Sequence, residues 1–120
     1  MEEHNRRVPP TEQGTPQAVD AVEQGIRYAE DGAYDRAIEC FTMAIRLSPE
    51  CADAYFARAC THDIKGEFDL AIDDCTNVIR LDPQRATAYH LRGQVYGKTG
   101  QWAKAERDVA KARRFEARQK

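Results

Sequence analysis

The sequence lacks any hydrophobic run long enough to cross a membrane, and it lacks the short motifs that mark common catalytic sites. Its 120 residues include one Trp and no Gly-rich phosphate loop, H-E-x-x-H motif or G-x-S-x-G elbow. A membrane span needs about 20 consecutive apolar residues, and these motifs position phosphates, zinc and nucleophilic serines. The length of 120 residues predicts one domain, and the absences predict that it has no membrane span, is not an enzyme and needs no cofactor and no metal.

The sequence also lacks an N-terminal signal and a cysteine pair with redox or zinc-ligand spacing. Residues 1–17, MEEHNRRVPPTEQGTPQ, mix charges with Pro, Gly and Gln, which predicts a flexible tail. Cys40, Cys51, Cys60 and Cys75 are separated by 11, 9 and 15 residues. We therefore expect reduced thiols in a cytoplasmic protein, although four cysteines leave disulfides as an alternative.

The net charge of -2 hides a division along the chain. Residues 18–85 contain 14 acidic and 7 basic residues, whereas residues 86–120 contain 3 acidic and 9 basic ones. Such polarity can orient a partner or a second copy of the chain.

The chain repeats itself with a period of 34 residues: AIRLSPECADAY at residues 44–55 returns as VIRLDPQRATAY at residues 78–89. Four kinds of residue recur in register across the three copies. They are the small residues Gly25, Ala59 and Gly93, the turn glycines Gly32, Gly66 and Gly100, the aromatics Tyr34, Phe68 and Trp102, and the alanines Ala37, Ala71 and Ala105. An unbroken period of this length indicates stacked supersecondary units.

Each unit shows two helical stretches, A and B. In the first copy, Thr15 and Pro16 predict the start of helix A, and Gly32 predicts its end. Helix B follows and is predicted to stop at Ser48, because the residue before Pro49 is disfavoured in a helix. The small residues predict a close crossing of the two helices, and a lone hairpin would leave apolar surface wet, so the units must stack.

These features resemble the tetratricopeptide repeat (TPR) family over residues 18–119, as repeats 18–51, 52–85 and 86–119. The resemblance implies an all-α fold, a right-handed α-solenoid of three antiparallel helix-turn-helix hairpins. In helix B of the first two copies, Ile38, Ile45, Ile72 and Ile79 offer a face for the next helix A, but the third copy has Glu106 and Arg113 there. We therefore expect three repeats and no fourth.

The resemblance further implies a non-catalytic adaptor whose A helices line a concave groove that binds a peptide or helix of a partner protein. By register, the groove residues are Val19, Val22, Ile26, Asp53, Phe56, Cys60, Asp63, Thr87, His90, Gln94 and Lys98. The groove should be apolar at one end and polar at the other, with Phe56 as the central anchor.

One subgroup of the family grips the C-terminal carboxylate of heat-shock chaperones with Lys, Asn, Asn, Lys and Arg. Those groove positions here hold Val22, Ile26, Ala57, Thr87 and Leu91. None of these side chains can hold a carboxylate by charge, which argues against a chaperone tail as the partner.

Several alternatives stay open. The apolar groove residues Val22, Ile26 and Phe56 could pack against the N-terminal tail or against a second copy of the chain. The acidic and basic ends could drive head-to-tail self-assembly. The basic last helix could contact nucleic acid or an anionic surface, although Glu106, Asp108 and Glu116 are expected to interrupt its cations. Cys60 and His90 could form half of a metal site. His62 is expected to be a partly buried filler. The aromatic residues outside the groove, Trp102 included, are expected to pack in the core or at the turns.

Overall fold

The computed structural model describes residues 14–119, and these form six α-helices and no strand. The helices are α1 (Pro16–Glu30), α2 (Tyr34–Leu47), α3 (Ala52–Ile64), α4 (Phe68–Leu81), α5 (Ala86–Lys98) and α6 (Trp102–Arg118). They pair as three hairpins, and successive hairpins stack through contacts of α2 with α3 and of α4 with α5. The described part is thus the all-α solenoid that the 34-residue period predicts. Most of the predicted tail, residues 1–13, lies outside the described residues.

The helix ends lie where the local sequence places them. Thr15 caps α1, where its side-chain oxygen accepts a hydrogen bond from the Ala18 N–H, and Pro16 takes the first helical position. The α2 helix ends at Leu47, and Ser48 before Pro49 is extended. Each hairpin turn contains a glycine with φ near +80°, at Gly32, Gly66 and Gly100. Because that conformation costs other residues energy, the periodic glycines fix the turns.

Within the first hairpin, the two helices cross at Gly25. A Cβ atom built on Gly25 would lie 2.5 Å from Cε1 of Phe41, a side chain that is 1% exposed. Later copies hold Ala59 with Cys75 and Gly93 with Val109 at these two offsets. The two glycines at this offset of the A helices are thus matched by the larger Phe41 and Val109, and the alanine by the smaller Cys75, which confirms the predicted close crossing.

Consecutive hairpins are joined by a repeated clamp of Arg, Asp and Thr. Arg58 donates two hydrogen bonds to Asp74, at 2.8 and 2.9 Å, and a third to Thr42 of the preceding hairpin, at 3.0 Å. One period later, Arg92 makes the same bonds to Asp108 and Thr76. The aspartates are only 5% and 4% exposed, so their negative charge is matched by a bidentate guanidinium.

The last helix exposes the two charges that replace isoleucines, because Glu106 and Arg113 both face solvent. Trp102, the first residue of α6, lies beside Gly97 of α5 at the turn, but it is 67% exposed and is therefore not a core residue. None of the described helices is both long and apolar enough to cross a bilayer.

Candidate functional site

The three A helices lie side by side, with α1 in contact with α3 and α3 in contact with α5. All eleven predicted groove residues lie on these helices. At the N-terminal end, a cleft of about 400 Å³ is lined by Val19, Val22, Glu23 and Ile26 of α1 and by Asp53 of α3. Four of the predicted groove residues, Val19, Val22, Ile26 and Asp53, therefore line one cleft, and two carboxylates, those of Glu23 and Asp53, stand at it.

The apolar side chains of this cleft differ in how much surface they can offer. Ile26 is 42% exposed and Val19 is half-buried, but Val22 is only 8% exposed. Val22 belongs to the core of the first hairpin, together with Phe41 and Ala44. Ile26 is consequently the most exposed apolar side chain of this cleft, and Val22 is mostly buried in the core.

Phe56, the predicted central anchor, is half-buried and packs against core residues of the second hairpin and of the α4–α5 junction. The Arg85 guanidinium lies over its ring, with the guanidinium carbon 5.1 Å from the ring centroid. Arg85 also pairs with Asp53, whose Oδ1 is 2.9 Å from Nη2. Arg85 thereby covers one face of Phe56 and neutralises one carboxylate of the groove.

Sequence reasoning missed Arg85 and Glu23. Glu23 directly follows Val22, and Arg85 precedes Thr87 by two residues, but register alone does not show which way a side chain in the turn before α5 points. The sequence feature that could have indicated Arg85 is its position one period after Cys51, where a basic residue stands immediately before the third A helix.

The polar end of the predicted groove contains one ion pair between neighbouring A helices. Nζ of Lys98 on α5 lies 2.9 Å from Oδ1 of Asp63 on α3. Thr87, His90 and Gln94 are exposed on α5, and within residues 14–119 no hydrogen bond or ion pair connects them to the other groove residues. The structure therefore brings Asp63 and Lys98 together and leaves the three remaining polar side chains open to solvent.

The cysteines show no sign of reactive chemistry. Burial raises the pKa of the Cys60 thiol, and the nearby Asp63 carboxylate raises it further. Burial also raises the pKa of the Cys75 thiol, to about 12. A thiol that holds its proton is a poor nucleophile and a poor metal ligand. Among the described residues, no three or more His, Cys, Asp or Glu side chains are arranged to hold a metal ion.

His62 has a more specific role than a filler. It is 8% exposed, and its Nδ1 lies 2.7 Å from Oε1 of Glu67 at the start of the next helix. Its Nε2 lies 3.8 Å from Oδ2 of Asp74. The hydrogen bond from His62, followed by that from Lys65, lowers the pKa of the Glu67 carboxyl. His62 therefore ties the end of α3 to the start of α4 through Glu67, and it lies beside the Arg58–Asp74 clamp.

Comparisons with known proteins agree with this architecture. The family model described as tetratricopeptide repeat matches residues 22–86. The second TPR of Spaghetti (RPAP3), bound to the HSP90 peptide SRMEEVD, has 29% identity and a TM-score of 0.79 over 81% of this chain and 90% of that chain. The TPR2B domain of yeast Sti1, in a pHsp70 complex, has 27% identity and a TM-score of 0.84 over 87% and 83%. The second TPR domain of human RPAP3, with the HSP70 peptide SGPTIEEVD, has 29% identity and a TM-score of 0.81 over 84% of each chain. A search of curated proteins gives no match.

Proposed function

Since this chain belongs to the tetratricopeptide repeat family, we propose that it is a non-catalytic adaptor that binds a peptide or helix of another protein along α1, α3 and α5. Three of the structures to which it is similar hold peptides or form complexes with other proteins. The family and these neighbours are interaction modules, which supports a role in protein–protein interaction and not in catalysis.

The observation that carries the proposal is the cleft of about 400 Å³ between α1 and α3. Ile26, which is 42% exposed, supplies apolar surface that the other described residues, 14–119, leave open. Glu23 and Asp53 stand at the edge of the same cleft, and only Asp53 has a cationic partner, Arg85, among the described ion pairs. A ligand with an apolar anchor followed by a basic residue would satisfy both the apolar surface and the Glu23 carboxylate.

The same charges argue that the ligand is not a chaperone tail. The peptides SRMEEVD and SGPTIEEVD, held by two of the neighbours, are acidic and end in Asp. In this chain, two of the five positions that would grip the carboxylate, Val22 and Leu91, are each 8% exposed and apolar. The groove cations Arg85 and Lys98 are already paired with Asp53 and Asp63. An acidic tail would therefore meet carboxylates without a free cation to offset them.

The test begins with peptides selected from a random library for binding to the purified chain. Ile26→Ala should weaken a selected peptide by about tenfold or more, because truncation of a groove anchor costs about 1.4 kcal/mol or more. Leu70→Ala is the matched control, since Leu70 is 48% exposed on α4, outside the A helices. That control should leave the affinity within about twofold.

Two results would contradict the proposal. One is equal loss of affinity in Ile26→Ala and Leu70→Ala, which would place the peptide elsewhere. The other is tight, saturable binding of SRMEEVD that Ile26→Ala weakens, which would show that the groove accepts an acidic carboxylate terminus. Unfolding midpoints measured on each variant keep a loss of fold from being read as a loss of binding.

A further inference from the structure

One face of α6 carries five cations in helical register: Lys104, Arg107, Lys111, Arg114 and Arg118. They are spaced by three and four residues alternately, so they follow one stripe along the helix. At about 1.5 Å per residue the stripe is about 21 Å long. Lys111 is half-buried, and the other four are exposed. We call this surface the α6 cationic stripe.

The acidic residues of α6 do not interrupt the stripe, contrary to the sequence expectation. Asp108 is 4% exposed, and Arg92 neutralises it with two hydrogen bonds of 2.8 and 3.0 Å. Glu106 follows Lys104 by two residues, and Glu116 precedes Arg118 by two residues. Because each residue advances about 100° around a helix, both glutamates point away from those cations. The stripe therefore presents positive charge without a competing carboxylate in register.

Two tyrosine rings support the cations from below. Nζ of Lys104 lies 5.5 Å from the centroid of Tyr96, and Nζ of Lys111 lies 5.6 Å from that of Tyr89. The Arg92 guanidinium lies 5.7 and 5.8 Å from the same two rings. A depression of about 190 Å³ is lined by Tyr96, by the cations Arg92, Lys104, Arg107 and Lys111, and by Asp108, which Arg92 neutralises. Cation–π contacts hold the ammonium groups near fixed positions, and they also occupy the ring faces.

The stripe is a property of the third repeat and not of the fold. Lys104, Arg107 and Lys111 have counterparts at the same offsets in the other repeats, namely Leu70, Asp73 and Asn77 in the second and Arg36, Glu39 and Met43 in the first. Those two hairpins fold without a continuous basic row. The packing of the solenoid therefore does not require the stripe.

We propose that the α6 cationic stripe binds an acidic segment of a partner protein, with carboxylates spaced to meet successive cations. Charge complementarity carries the assignment, because five cations along about 21 Å match glutamates placed three or four residues apart on a helix. This site lies outside the A-helix groove and does not depend on the function proposed for it.

Two features favour an acidic protein segment over a nucleic acid. The faces of Tyr89 and Tyr96 are covered by cations, and Tyr89 is 5% exposed, so they offer no platform for base stacking. Residues 18–85 carry 14 acidic and 7 basic residues, so a polyanion longer than the stripe would run onto repulsive surface. A short acidic segment avoids that surface.

The experiment uses the full chain and a fluorescent acidic peptide with glutamates at positions i, i+3, i+7, i+10 and i+14. We expect saturable binding at about 50 mM salt that is lost at about 500 mM, and no binding of the glutamine version of the peptide. The double variant Lys104→Glu/Lys111→Glu should weaken binding by about tenfold or more.

Arg36→Glu is the matched control, because Arg36 occupies the offset of Lys104 and lies 5.9 Å from the Tyr28 ring. It should change the affinity by less than about threefold, since a single reversed charge far from the peptide is screened. Equal losses in the control and the double variant would overturn the proposal, as would absence of binding. Tighter binding of an oligothymidylate of equal charge would overturn it in favour of nucleic acid. A salt-sensitive dimer of the free chain that the double variant abolishes would overturn it in favour of a second copy.

Discussion

Replacing Gly25 by Ala tests how closely the helices of the first hairpin approach each other. The added methyl group would lie 2.5 Å from Cε1 and 2.8 Å from Cδ1 of Phe41. Phe41 is 1% exposed and packs in the core with Ala37 and Ala44, so its ring cannot move away freely. Overpacking of this kind costs about 1–3 kcal/mol, and the better helix propensity of alanine returns at most about 1 kcal/mol. We expect Gly25→Ala to lower the free energy of unfolding by about 1–2 kcal/mol.

Gly97→Ala supplies a control with the opposite sign. A Cβ atom at Gly97 would meet only Cζ3 of Trp102, at 3.6 Å, which is ordinary contact with a 67% exposed side chain. Alanine should therefore raise stability, by about 0.5 kcal/mol because Gly97 lies near the end of α5 where propensity counts less.

Urea unfolding followed by circular dichroism measures both changes. The dependence of the free energy on urea should be the same for the two variants and the wild type, so the midpoints can be compared directly. If Gly25→Ala proved as stable as the wild type with an unchanged spectrum, the close crossing at Phe41 would be wrong.

Two further predictions concern buried groups. Asp74→Ala should lower the free energy of unfolding by about 2–3 kcal/mol, because it leaves the largely buried Arg58 guanidinium without its bidentate partner. The control is Asp73→Ala at an exposed position of the same helix, which should change the free energy of unfolding by less than about 0.5 kcal/mol. Equal urea midpoints for the two variants would refute the stabilising role of the clamp. Burial raises the pKa of the folded Cys75 thiol to about 12 from 9.0. The contribution of this thiol to stability is therefore complete below pH 9 and is lost as the pH rises toward 12. In a pH series of urea midpoints, Cys75→Ala should lose stability less steeply above pH 9 than the wild type does.

Much of the fold follows from the sequence because one physical requirement repeats three times. Turns with positive φ require glycine, close helix crossings require small residues, and Ser48 before Pro49 is disfavoured in a helix. Each signal is local and recurs at 34 residues, so the hairpins and most helix ends were predicted. The exposure of Trp102 was not predicted, because it depends on which helices pack over the start of α6 and not on the residue itself.

The candidate site was only partly predictable. The register of the repeats identifies which residues face the groove. It does not show that Val22 is buried in the core or that the Arg85 guanidinium lies over the Phe56 ring. The clamp of Arg58, Asp74 and Thr42 recurs one period later, yet its members are 16 residues apart on different helices. Contacts of this kind depend on side-chain direction across a helix interface, which a one-dimensional pattern does not contain.

Changes in amide chemical shifts on addition of a library-selected peptide would show whether the A helices form the binding face. We expect these changes to concentrate on α1 and α3 around Ile26, Asp53 and Phe56, and to extend to the exposed side of α5. Shifts concentrated on α2, α4 and α6, with the residues around Ile26 unchanged, would contradict it.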